Sequence, residues 1–230
     1  MNHAPVRDGA AAKPPLPPEA DAVKARRAGL SKEEINQLPI LAWEGSVIII
    51  QDERSLESAL SDLRSERIIG FDTETKPTFT KGQTAPPALV QLASATCVYL
   101  IQLMHVPFGP ALAGFLSCPG SLKVGVAIHD DIKALNRHHP FTAAGVVDLA
   151  AMARQQGIQA QGLRTLAANL LGFRISKGAQ CSNWENPTLT QQQIRYAATD
   201  AWVGREIYIH LEKRQAGRTS LPSAGSGDLR

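Results

Sequence analysis

At 230 residues, 43% hydrophobic and 20% charged, the chain can bury one α/β core of ordinary domain size, which excludes a wholly disordered protein. No apolar run approaches the ~18 residues of a transmembrane helix, and the opening MNHAPVRDGAAAKPPLPPEA lacks the apolar stretch of a secretory signal, so neither a membrane partner nor secretion is expected. The net charge of +3 is uneven: residues 154–218 carry nine Lys or Arg against four Asp or Glu, and residues 46–153 carry eight against ten, a pattern that fits either a polyanion-handling protein with a carboxylate metal site or an ordinary solvated helical surface.

In chain order, residues 1–37 read as a disordered or partly helical tail. Five of the fifteen prolines fall at positions 5 to 18, and such a segment cannot bury enough to offset its ordering entropy. LSKEEINQL is its most helical part. Residues 1–45 carry six Lys or Arg against six Asp or Glu, and the tail holds no candidate ligand, so it is expected to add nothing to a functional site. The folded unit is expected over residues 38–214, followed by a flexible C-terminal tail over 215–230.

Within that unit, GSVIIIQ (45–51) is a β-branched apolar run and hence a strand. Asp52 can cap a helix whose Leu56, Ala59, Leu60 and Leu63 fall on one face. RIIGFDTE (67–74) is the next strand, followed by the Pro- and Gly-containing loop KPTFTKGQTAPP. ALVQLAS and TCVYLIQL pair as a hairpin, and GPALAGFLS is helical. KVGVAI is a buried strand running into the helix HDDIKALNR. GVVD is a short strand, and DLAAMARQQG and GLRTLAANLLG are helices. Thr190 and Gln193 form a capping box for a long last helix. Antiparallel strands first, then alternating helix and strand, predict a mixed sheet flanked by helices. Cys97, Cys118 and Cys181 form no CxxC pair, which suggests reduced thiols in a cytoplasmic protein.

Acids stand at the edges of these elements. Asp72 and Glu74 are two apart on one strand and share a face. Two bare carboxylates beside an apolar run repel, and a divalent cation would resolve that cost. Asp130 and Asp131 sit where a strand turns into a helix, and either can be a plain helix cap. Tyr196 and Asp200 are four apart on the last helix and share a face; Ala197, Ala198 and Ala201 around them allow close packing on the sheet. Hard oxygen ligands on three elements select Mg²⁺ or Mn²⁺.

The runs IIGFDTE, VGVAIHDD and CSNWENPTLTQQQIRYAATDAWVGREIY resemble the DEDDy 3′–5′ exonucleases over roughly residues 38–212. They are most similar to the Werner-type exonuclease domain, with ribonuclease D and polymerase proofreading domains as more distant relatives. The resemblance implies a single ribonuclease-H-like α/β domain with a mixed five-stranded sheet flanked by helices. It maps the metal-ligating acids onto Asp72, Glu74, Asp131 and Asp200, with Tyr196 completing the catalytic set. Asp131 is preferred to Asp130 because it fits the spacing V-G-V-x-I-x-x-D. The family form with His in place of Tyr would need His where Arg195 stands.

The implied activity is release of nucleoside 5′-monophosphates from a free 3′ end of nucleic acid, with two divalent cations, Mg²⁺ or Mn²⁺, as cofactors. DNA is expected ahead of RNA; the alternatives are an exoribonuclease of ribonuclease D type and a non-catalytic nucleic-acid-binding module on the same fold. Arg174 and Lys177 are expected to meet the phosphate backbone, and Leu92 and Phe79 to wedge or stack a terminal base. Trp184 is expected to pack its loop on the last helix, and His129 to be an ordinary polar group.

Overall fold

The computed structural model describes residues 29–78 and 85–219. Six strands form one mixed sheet: β1 (Ser46–Ile50), β2 (Ile68–Thr75), β3 (Pro87–Ala93), β4 (Cys97–Gln102), β5 (Leu122–Gly125) and β6 (Val146–Asp148), in the spatial order β1-β4-β3-β2-β5-β6. The antiparallel β2-β3-β4 meander lies at the centre, with β1 added parallel to β4 and β5 parallel to β2. The five strands implied by the resemblance are thus corrected to six. All six are strands read in the sequence, the last being the short GVVD, which pairs parallel to β5 from Lys123↔Val146 to Gly125↔Asp148.

Helices cover both faces. On one face lie α2 (Glu53–Leu63), α3 (Pro110–Leu116) and α4 (Ile128–Asn136), packed on Ile69, Phe71, Val90 and Leu92. On the other lie α5 (Leu149–Gln155), α6 (Leu163–Leu171) and α7 (Gln191–Thr219), packed on Leu89, Ala93, Leu100 and Val124. The alternation of β3 explains the division, since neighbours along a strand face opposite sides. α2 begins where Asp52 accepts from Ser55 N at 2.8 Å. α7 begins where Thr190 N donates to Gln193 Oε1 at 3.0 Å and Gln193 N donates to Thr190 Oγ1 at 3.2 Å, as the capping box predicts. Trp202 of α7 is buried between Trp43 and Phe173, with ring centroids 5.7 and 5.8 Å away. Truncating such a residue to Ala costs about 3–5 kcal/mol.

Two boundaries differ from the sequence expectation. α7 continues to Thr219, five residues past Arg214, and Arg218 Nη1 donates to Gln156 O at 3.4 Å. At the other end, Lys32–Gln37 forms α1, with a complete Ser31–Glu34 capping box. The segment is anchored: Leu30 N donates to Asn169 Oδ1 at 2.8 Å, Arg174 N to Pro39 O at 2.9 Å, and Leu41 N to Arg174 O at 3.0 Å. The cue missed in sequence was long-range pairing, which local composition does not encode. Among the described residues no helix is long and apolar enough to cross a membrane.

Candidate active site

β2 and α7 make the centre of the site by close approach. A Cβ on Gly70 would sit 1.9 Å from the carbonyl oxygen of Ala201, so only glycine lets the α7 backbone settle on β2. That approach sets Asp200, one residue earlier on α7, over Asp72 and Glu74, which share a face of β2. The three carboxylates offer ligand oxygens within 4.8 Å of one another. Asp200 is buried and the two β2 acids are half-buried.

Such crowding is unfavourable in the ionised state. Burial first, then the charges of Asp200, Asp131 and Glu74, push Asp72 well above the usual carboxylate range. Burial and the neighbouring Asp200 and Asp131 push Glu74 up to about 8, and burial raises Asp200 to about 7. Hard anionic donors held together at this cost are the chemistry that a Mg²⁺- or Mn²⁺-sized cation relieves, so the donor set fits such an ion.

The fourth acid is linked to this group through β2. Asp131, half-buried on α4, accepts a hydrogen bond from the Thr73 hydroxyl at 2.5 Å. Asp130 is exposed, so the geometry favours Asp131 of the adjacent pair. Asp131 lies outside the 4.8 Å trio, although its charge acts on both Asp72 and Glu74. Burial raises its own pKa to about 6, against the lowering effect of the Thr73 bond. β5 turns into α4 at Ala127, whose φ of 56° is the one positive value among the described non-glycine residues. The strained turn stands immediately before the helix that carries Asp131.

Tyr196 stands one turn before Asp200, and its hydroxyl is close enough to lower the pKa of that carboxylate against the effect of burial. Burial, then the charges of Asp200 and Glu74, push the phenol far above its ordinary range, so it remains an O–H donor. Trp184 is buried with its ring centroid 6.0 Å from that of Tyr196, at 43°. Its loop is tied to α7 by Gln193 Nε2 donating to Asn183 O at 3.1 Å, and to the end of β2 by a Lys76–Glu185 ion pair at 2.8 Å. Trp184 thus packs its loop against α7, as expected.

Asp72, Glu74, Tyr196 and Asp200 form part of the wall of a cleft of about 780 Å³. Lys177 and Arg174 line the same cleft. Lys177 is exposed there, whereas Arg174 Nε is bonded to Leu38 O at 3.0 Å and clamps the N-terminal segment. Leu92 is corrected: it is fully buried against the α2–α4 layer, because strand alternation points it away from Asp72, and it cannot wedge a base. Phe79 lies outside the described residues. His129 is exposed.

Two contributions escaped the sequence reading. Arg164, at the start of α6, lines the cleft within electrostatic reach of Tyr196 and Asp200. Its Nη1 is buried and has no partner among the described residues. Lys32, Ile35 and Asn36 of α1 also line the cleft, so the segment ahead of residue 38 does contribute to the site.

A family model for the 3′-5′ exonuclease domain matches residues 47–215. Exonuclease 3′-5′ domain-containing protein 2 of Mus musculus is 30% identical over 213 residues, covering 85% of this chain and 32% of its own length. The bifunctional 3′-5′ exonuclease/ATP-dependent helicase WRN of Mus musculus is 33% identical over 187 residues, covering 76% of this chain and 13% of its own. The chain therefore spans about a third of the length of the first of these curated relatives and less of the second. The crystal structure of the Aedes aegypti Nibbler EXO domain is similar at a TM-score of 0.69 and 29% identity, covering 80% of this chain and 94% of that one. Escherichia coli RNase D shares the fold at a TM-score of 0.67 and 23% identity, covering 78% and 48% of the two chains.

Proposed function

The chain belongs to the 3′-5′ exonuclease family, and we propose that it hydrolyses phosphodiester bonds from the free 3′ end of a nucleic acid, releasing nucleoside 5′-monophosphates. The observation that carries this reading is the trio Asp72, Glu74 and Asp200, with ligand oxygens within 4.8 Å of one another in a cleft that also contains Tyr196.

Asp72, Glu74 and Asp200 hold one divalent cation, and Asp131, tied to β2 through Thr73, serves a second; Mg²⁺ and Mn²⁺ suit these donors. When bound, such ions stabilise charge on the attacking and leaving oxygens of a phosphodiester. The protonated Tyr196 donates a hydrogen bond that orients the attacking water beside Asp200. Arg164 supplies a cation to the scissile phosphate from the α6 side of the cleft, and Lys177 meets the phosphate backbone further out. Trp184 holds the Tyr196 ring against displacement.

DNA is the proposed substrate ahead of RNA, supported by the similarity of CSNW and YAATDA to the Werner-type domain. Matched DNA and RNA oligonucleotides labelled at the 3′ end test both points. Labelled mononucleotide should appear with Mg²⁺ or Mn²⁺ and vanish in EDTA and in Asp72→Ala. A tenfold faster rate on RNA would reverse the substrate order, and a rate in Asp200→Ala near that of the unmodified protein would overturn the site.

A further inference from the structure

Gln91 lies in the centre of the sheet on β3 and is fully buried. Neither its amide nitrogen nor its amide oxygen has a hydrogen-bond partner among the described residues. Buried amides are almost always paired, so an orphan of this kind calls for a physical reason. A second buried glutamine on the same face behaves ordinarily: Gln102 accepts from Gln51 at 2.6 Å and donates to Asn186 O at 3.1 Å. Several other buried side chains leave one polar atom unpaired, but among the described residues only Gln91 leaves two.

Its register supplies the reason. Gln91 is directly opposite Asp72 across the antiparallel β2–β3 pair, and directly opposed residues project from the same face with Cβ atoms about 4.5–5.5 Å apart. The other register partner, Leu100, is apolar and offers nothing to an amide. Among the described residues Asp72 accepts a hydrogen bond from Thr73 N at 3.0 Å, whereas a carboxylate has about four acceptor positions. An amide that reaches one oxygen of Asp72 would fix the rotation of the carboxylate and so the direction of its remaining lone pairs.

We propose that Gln91 is a positioning residue for the cation site, its side-chain amide donating to Asp72, directly or through one buried water, when Asp72 is bound to a cation. This rests on the reading of Asp72 as a ligand. That contact would engage an amide with no other partner among the described residues, held in a position where an apolar side chain would pack better.

The test compares the unmodified protein with Gln91→Met, which keeps the length of the chain and removes both polar atoms, and with Gln91→Leu as a second apolar variant. Mn²⁺ binding is read by titration calorimetry, and melting is read separately in EDTA. Outer-shell partners typically tune metal affinity by ~10–100-fold, so both variants should bind Mn²⁺ at least tenfold more weakly. Metal-free melting should hold steady or rise, because a buried unpaired amide has been replaced by an apolar chain. A smaller loss of affinity overturns the proposal. So does a weakened affinity accompanied by lower metal-free melting in both variants, or failure of both to fold, since either assigns Gln91 to the core. Unmodified protein that binds no Mn²⁺ overturns the ligand reading of Asp72 along with it, which distinguishes the two failures.

Discussion

Burial, with the surrounding carboxylates, keeps the hydroxyl of Tyr196 protonated, so at ordinary pH its use is to donate a hydrogen bond and not to act as a base. Tyr196→Phe should therefore leave Mn²⁺ affinity unchanged while slowing single-turnover cleavage about 10–1000-fold, the usual loss for one positioned donor. Undiminished turnover at saturating metal would remove the hydroxyl from the mechanism. The acids themselves make a second prediction. In the metal-free fold Glu74 is raised from 4.5 to about 8 and Asp200 from 3.8 to about 7. Between pH ~4 and ~8 the folded protein then binds more protons than the unfolded chain, and stability falls as pH rises through that window. Melts in EDTA should decline from pH 5 to pH 8, and Asp200→Asn should flatten the decline; a flat profile for the unmodified protein would contradict the clustering. These acids were legible because strand alternation and the i, i+4 spacing of a helix report shared faces. Arg164 was not, since its place beside Asp200 depends on how α6 packs on α7. The same alternation, applied to β3, would have excluded Leu92.

At the scale of elements, the site exists because α7 lies unusually close to β2. Gly70 is the point of contact, and an added Cβ would meet backbone, not the tip of a flexible side chain. Gly70→Ala should cost about 1–3 kcal/mol through overpacking. It should also lower activity more than stability alone explains, because a displacement of ~1 Å at a catalytic group can cost ~10²-fold. Urea unfolding and single-turnover rates on folded protein separate the two effects; normal rates would show that the contact does not set Asp200. The run IIGFDTE announced a buried strand, and the small residues on α7 announced close packing. What the local pattern could not give was the end of β5. KVGVAI reads as a strand throughout, yet the pairing stops at Gly125 and Ala127 takes a left-handed turn to start α4. That choice is made by the packing of α4 on the sheet. The helix α1 was legible in LSKEEINQL, but its attachment was not, because its anchor on Asn169 and Arg174 is more than 130 residues away in sequence.

At the scale of the molecule, the excess of cations over residues 154–218 does not translate directly into a binding surface. Arg205 is engaged with Ile68 O at 3.2 Å and with Glu206 at 3.5 Å, Arg195 with Glu44 at 3.2 Å, and Arg174 with Leu38 O at 3.0 Å. These bonds hold the helices and the N-terminal segment to the sheet. Of this stretch, Arg164 and Lys177 line the cleft with no side-chain hydrogen bond or ion pair to the described residues. If phosphates enter beside Asp72 and Asp200, these two should carry the release of counterions. The double replacement Arg164→Ala and Lys177→Ala should weaken oligonucleotide binding across sequences and flatten the log–log salt slope by about one to two units. Arg195→Ala, which removes an exposed ion pair with Glu44 and does not line that cleft, should leave the slope unchanged. Binding of a 3′-ended oligonucleotide, measured for all three proteins over one salt series in Ca²⁺ or EDTA, gives the comparison without turnover. If Arg195→Ala flattens the slope and the double replacement does not, the nucleic acid crosses a different face of α7, and the cleft beside Arg164 is not its path.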